Sequence, residues 1–339
     1  MLPSPSSRGR VRAWTLLLLL LVLSAPPVRA DTGHYIPGQI RLRDSLLPDQ
    51  AVRLSYTTSY YASTRLNDSS GHEVVSLSIP VGGINIPIFE VSQAGHLSTP
   101  LIAVAPISLF AGTIRLGAFA TVPWGSRAVG VNIFDAVSQD APTGFADPLI
   151  APLWIGFSTP VLELSLSWGV YAPVGKYDPE DALNVGRGFT TQQIQLTGEL
   201  HLLPLRVLSL LMRLTYEQHG AQEGRRVTVG DTATLEWGIA VRPLDFDGLC
   251  FDVIVLGSHL MQVEPDTGRR FVNDFGMVQS HAAGFEASLH YLPWGLSFFT
   301  QFAWEYYTEA SFQGISASAG VSIEIPFWYK TEKSDKPDD

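Results

Sequence analysis

Beyond residue 30 the chain has no run of eighteen apolar residues, which excludes a membrane-spanning helix. The densest apolar stretch, Leu200 to Leu214, is broken by His201, Pro204, Arg206 and Arg213. Cysteine is nearly absent: Cys250 stands alone, so no internal disulfide can form, and its simplest role is that of a small apolar side chain. Basic residues are few, 22 against 32 acids for a net charge of −10, which argues against nucleic acid as a partner. Catalytic and nucleotide-binding signatures are missing too: no H-E-x-x-H, G-x-S-x-G, G-x-x-x-x-G-K or G-x-G-x-x-G occurs. No cofactor is expected and no metal site, since a structural zinc lacks its cysteines.

What is present begins with an export signal. Arg8, Arg10 and Arg12 precede the short apolar run Trp14 to Leu23, and Val28-Arg29-Ala30 ends in a small-residue cleavage pattern. The run is about half the ~20 residues a spanning helix needs. Residues 1–30 are therefore expected to be a cleaved signal peptide, and 31–50 a periplasmic N-terminal segment.

From residue 51 to 329 apolar and polar side chains alternate in segments of roughly ten residues. In Ile194 to Leu202 the apolar Ile194, Leu196, Leu200 and Leu202 fall on one side of an extended strand. Gln195, Thr197, Glu199 and His201 fall on the other. Comparable patterns start near Val52, Ile114, Leu162, Leu208, Leu235, Phe285, Phe298 and Ile315, and weaker ones span 100–110, 146–157 and 249–261. In the 146–157 segment Pro148 and Pro152 cannot donate to a ladder, so a bulge is expected there. This makes twelve strands. The connections sort by length: short ones carry turn residues, such as Phe110-Ala111-Gly112 and Pro293-Trp294-Gly295. The long ones, such as 123–145, 172–189 and 263–276, are polar and rich in Gly, Asp and Asn.

That sorting is the habit of an up-and-down antiparallel β-barrel in the outer membrane of a Gram-negative bacterium, with short periplasmic turns and long extracellular loops. Closure removes exposed strand edges, and an even strand count returns both barrel ends to the periplasmic side. Aromatic residues near strand ends, among them Trp168, Trp237, Trp294 and Trp304, suit interfacial girdles. The partners implied are outer-membrane lipids and lipopolysaccharide, the barrel-assembly machinery and a small-molecule solute. Oligomeric state is not legible.

A charge on the lipid side near the midplane costs ~2–4 kcal/mol for Arg or Lys, somewhat less for an acid. The charged positions of the alternation are therefore expected to face the lumen: Arg115, Glu163, Glu199, His201, Arg213, Glu236, Glu286, His290, Glu305 and Glu324. Such a lining is mostly acidic and would favour cations if open. The alternative is a lumen packed shut by paired carboxylates, Arg and His.

Several short pieces, in order, resemble the family named for the MetA-pathway of phenol degradation. They are His34-Tyr35-Ile36-Pro37-Gly38, then Gly144-Phe145-Ala146-Asp147-Pro148 leading to Pro152. The most specific is a loop carrying Gly169, Pro173, Gly175, Tyr177 and Asp178, followed by Gly186 and Gly188. The resemblance implies an outer-membrane barrel that passes hydrophobic or aromatic compounds. Two features depart from it. The charged tail 330–339 follows Phe327-Trp328-Tyr329, and the first long loop is unusually apolar, with Ile79 to Ile84 and Ile86 to Ile88. That loop either folds inward as a plug or adds a hairpin.

Three functional readings follow: a solute channel, a barrel without transport serving structure or adhesion, and a barrel enzyme acting on lipid through a His-Ser-acid set, with His219 or His259 as its histidine. Asp178, Glu180, Asp181 and Asn184 are also a candidate surface Ca²⁺ loop, and Asn67-Asp68-Ser69 matches a glycosylation sequon.

Overall fold

The alternating segments fold as twelve antiparallel strands. The structure, a computed structural model, describes residues 33–327 apart from 74–76, 82–83, 134–135, 141–142, 182, 204–206 and 269–275. The signal peptide expected at 1–30 and the tail at 330–339 lie outside the described residues. In chain order the strands are β1 (Ala51–Leu66), β2 (Ile84–Leu109), β3 (Ile114–Thr121), β4 (Leu149–Ser158), β5 (Leu162–Tyr171) and β6 (Thr191–His201). They continue as β7 (Leu208–His219), β8 (Thr232–Phe246), β9 (Leu249–Gln262), β10 (Gln279–Tyr291), β11 (Leu296–Glu309) and β12 (Phe312–Pro326). Each pairs with its sequence neighbours, and β1 pairs with both β2 and β12, so the sheet closes into a barrel. Ala51 faces Pro326 across the seam, which puts both barrel ends at one rim.

That rim carries the short turns and is the periplasmic one. Asp247-Gly248 joins β8 to β9 with both residues at positive φ, the two-residue hairpin that a right-handed strand twist favours. Long connections cross the opposite rim, with one exception: Ala310-Ser311 links β11 to β12 tightly, with Ala310 at φ 49. The expected bulge is present, as a register shift between Ile150 and Leu153 at Pro152.

The apolar first loop adds a hairpin, Leu77–Val81 pairing with the upper part of β2. This hairpin stands above the wall and leaves the barrel at twelve strands. Upper β2 is also paired by Trp124–Ile133, which in turn pairs with Ala136–Asp140.

Side chains sort between two solvents. On β6, Ile194 is 49% exposed whereas Gln195, Thr197 and Glu199 are buried. The same holds around the wall, where Leu54, Leu166, Leu214, Val255, Phe285 and Ile315 point outward into the lipid.

One expectation is corrected. Residues 33–50 do not hang below the barrel; they run up its lumen. His34 bonds to Thr191 and Asp147 at the extracellular end, while Arg43 pairs with Glu199 and Asp252 near the periplasmic rim. Acids buried in a narrow interior need cations beside them. This segment supplies Arg41 and Arg43 among the buried apolar residues Tyr35, Ile40, Leu42, Leu46 and Leu47.

Candidate functional site

At the extracellular end the three family-like pieces meet on one carboxylate. Asp147 accepts backbone hydrogen bonds from Gly175 (2.8 Å) and Arg187 (2.6 Å), and its other contact is His34 Nε2 at 3.0 Å. Burial alone would raise the pKa of Asp147, but the bond to His34 and the two amides outweigh it and hold the group below the usual carboxylate range. The glycines are what let the loop close around this group. A Cβ on Gly186 would press on the Gly175 backbone, and Gly188, at φ 71, packs under the Tyr177 ring. Gly169 lies on β5 against Leu149 and Ala151, and Pro173 starts the loop. The His34 ring stacks on Tyr171 (4.6 Å between centroids), meets Phe189 edge-on, and its Nδ1 bonds Thr191 at 2.8 Å.

Halfway down, Arg213 is fully buried and organises the segment. Its guanidinium bonds Glu236, the Ser45 hydroxyl and the carbonyls of Ile40 (2.9 Å) and Arg41 (3.4 Å), and lies 5.3 Å from the Tyr35 ring. The Tyr35 hydroxyl and the Gly38 amide also donate to Glu236, while the Tyr35 amide donates to Glu217. Arg41 sits 3.2 Å from Glu286 and over Phe299. Lower still, Asp252 faces Arg43, Arg242 and His290, and Arg53 bonds Glu324 and the carbonyls of Asp44 and Leu46.

Of the ten charged positions expected to face inward, Arg115, Glu199, His201, Arg213, Glu236 and Glu286 are buried, and the ten differ in their partners. Glu199, Arg213, Glu236, Glu286 and Glu324 engage the segment or its arginine anchors. Glu163 and His201 pair at 3.5 Å, and Glu305 binds Tyr61, Ser280 and the Gly314 amide near the extracellular end. Arg115 lines a cavity of about 330 Å³ at the periplasmic mouth, which His290 also borders. The cation preference expected from an acidic lining does not follow, because Glu199, Glu236, Asp252, Glu286 and Glu324 each face an arginine.

The opposite wall has another character. Leu101, Ala103 and Ala105 on β2, Phe119 on β3, Leu149, Ala151 and Trp154 on β4 and Tyr171 on β5 form one buried apolar cluster with Ile40 and Leu47 of the segment. The Phe119 and Trp154 rings meet edge-to-face at 4.9 Å. Leu47 lies against Gly117 and Gly156, and its amide donates to Ser165. Sequence reasoning missed this wall because Trp154 sits next to the Pro152 bulge, where the alternation is broken.

The other candidates disperse. His219 bonds Thr191 and Thr232, and His259 bonds Trp237 and His281; no serine is among these partners. Ser209 faces His201 and Ser297 faces His290, but the acid beyond His290 is Asp252, already held by Arg43 and Arg242. In the 178–184 loop Asp178 accepts from the Glu180 amide, and Arg225 donates to the carbonyls of Pro179 and Asp181 that a Ca²⁺ would use. Among the described residues no group of three or more metal-ligating side chains gathers.

Against known proteins, the family model for the MetA-pathway of phenol degradation matches residues 63–320. An outer membrane channel from Pseudomonas putida F1 has a similar fold, with TM-score 0.68 at 12% identity over 88% of this chain and 100% of that one. The translocator domain of autotransporter NalP from Neisseria meningitidis gives TM-score 0.44 at 12% identity, covering 93% of this chain and 97% of that one. A Pseudomonas aeruginosa FadL homologue gives 0.38 at 10% identity, covering 83% and 91%. No curated protein matches the sequence.

Proposed function

The chain belongs to the family named for the MetA-pathway of phenol degradation, and from that premise we propose that it is an outer-membrane channel for small hydrophobic or aromatic solutes, closed in this conformation by residues 33–50. The observation that carries the solute class is the aromatic and aliphatic wall of β2 to β5. The inside of a water-filled porin is polar. An interior lined by Phe119, Trp154 and Tyr171 instead favours solutes with apolar surface to bury. Passage then requires the segment to shift off that wall. The likeness to a Pseudomonas putida outer membrane channel supports the same reading at the level of fold.

Recordings of the folded chain in planar bilayers test it. Intermittent openings are expected, with millimolar benzyl alcohol interrupting the current and arabinose leaving it unchanged. A heat-modifiable, correctly folded barrel that never conducts would overturn the reading in favour of a sealed platform. Equal interruption by both solutes would overturn the solute class.

A further inference from the structure

Nearly every arginine in the lower lumen is committed. Arg43 is held by Glu199 and Asp252, Arg53 by Glu324, and Arg242 by Asp252. Arg41 has Glu286 at 3.2 Å, though neither its Nε nor its Nη1 makes a hydrogen bond, and Arg115 differs in having no such carboxylate beside it among the described residues. It is buried to 6% exposure, no hydrogen bond reaches its Nε, and the acid whose field it feels, Glu324, is already hydrogen-bonded to Arg53. A buried guanidinium lacking a close anion is expensive, and such a cost is normally offset by a partner.

The space beside Arg115 suits such a partner. The cavity it lines measures about 330 Å³ and is bordered by Ser158 at the end of β4 and the turn residues Leu292 and Gly295, which places it at the periplasmic mouth. That volume falls at the lower end of the roughly 300–1,000 Å³ range of small-molecule pockets. Its apolar surface comes from Leu46, Leu47 and Leu296. Arginines and acids border it in equal number, and Glu199 and Glu324 already occupy Arg43 and Arg53, so a dianion such as phosphate would bring more negative charge than the guanidinium of Arg115 offsets. A planar monoanion needs only that one fork.

We propose that this cavity binds a small organic monocarboxylate, its carboxylate on Arg115 and its apolar body against Leu46, Leu47 and Leu296. The site sits under the plugging segment, since Leu46 and Leu47 belong to it. It would hold a solute at the end of the lumen facing the cell interior. The inference depends on the channel reading only for how the solute arrives.

Titration calorimetry on the full chain, folded in detergent, tests it with benzoate, benzyl alcohol and inorganic phosphate. Benzoate is expected to bind at least tenfold more tightly than the other two. Arg115→Gln should abolish that preference, and Arg115→Lys, which keeps the charge and loses the fork, should retain part of it. Because Arg115 makes no structural hydrogen bond at Nε, Arg115→Gln should keep heat-modifiable gel migration; if it does not, the comparison of ligands on the parent chain still decides. Equal binding of benzoate and benzyl alcohol, phosphate binding as tight as benzoate, or full benzoate binding by a folded Arg115→Gln would each overturn the proposal. The two readings fail separately. A conducting barrel that binds no benzoate loses the site and keeps the channel, whereas a benzoate-binding barrel that never conducts does the reverse.

Discussion

The two walls of the lumen hold the same segment by opposite physics. On β6 to β10, β12 and β1 the contacts are charged: Arg43 and Arg41 of the segment pair with Glu199 and Glu286, while Arg213 and Arg53 of the wall, held by Glu236 and Glu324, donate to the segment's carbonyls. On β2 to β5 they are apolar, with Leu47 over Gly117 and Gly156 and Ile40 beside Tyr171 and Leu101. The division is not absolute, because Leu42 finds a small apolar patch of Leu211, Ala240 and Ile254 within the charged side. Paired charges fix register sharply, since a displaced arginine leaves two buried ions unpaired. An apolar wall tolerates sliding and accepts other apolar occupants in the segment's place. The charged wall sets where the segment sits, and on the proposed function the apolar wall sets what can replace it.

Breaking the charged wall should do the most. Arg213→Ala leaves Glu236 buried without its cation and removes the bonds to Ile40, Arg41 and Ser45, a loss of about 3–5 kcal/mol. The expected outcome is a barrel that stays open in planar bilayers for most of the recording; an unchanged open probability in a folded variant would show that this wall does not hold the segment. Leu47→Ala tests the apolar wall and should cost about 2–3 kcal/mol, near the low end for a buried leucine. Its openings should rise less than those of Arg213→Ala, and a larger rise would invert the comparison.

The clamp at the top comes third. Asp147 is held below the ordinary carboxylate range, so its contribution is complete above the unfolded value of about 3.9 and is lost as pH falls through the lower folded value. The part of the response that Asp147 carries should therefore be absent between about pH 7 and 5 and appear only below about pH 4. Asp147→Asn should remove that acid response and leave moderately raised openings at neutral pH. Asp178→Asn, in the loop outside both walls, provides the baseline: a change within about 0.5 kcal/mol in thermal or denaturant unfolding. A larger loss on that substitution would mean the loop carries more than its local hydrogen bonds with Glu180 and Asn184.

The strands were legible because each needs only its own pattern. Ile194 to Leu202 announces two faces without reference to anything distant, and Asp247-Gly248 and Pro152 mark a turn and a bulge by backbone chemistry alone. Residues 33–50 carry no such period. Their place is fixed by partners distant in sequence: His34 bonds Asp147, 113 residues on, and Arg43 bonds Asp252, 209 residues on. One signal was available: an acidic inner face of ten predicted positions holding only two arginines requires cations from elsewhere, and Arg41 and Arg43 lie just ahead of β1. The apolar wall was illegible for a different reason. Ala103, Ala105 and Ala151 face inward but do not contrast with their outward neighbours, so alternation vanishes where both faces are apolar.

The segment's attachment has a polarity. It is covalently continuous with β1 at the periplasmic rim, and its farthest side-chain anchor is His34 at the extracellular mouth. Hinge and latch are thus at opposite faces of the membrane. A molecule arriving from outside meets the latch first, whereas one arriving from within meets the hinge, which does not unfasten. On the channel reading proposed above, the barrel would be unlocked from the outside.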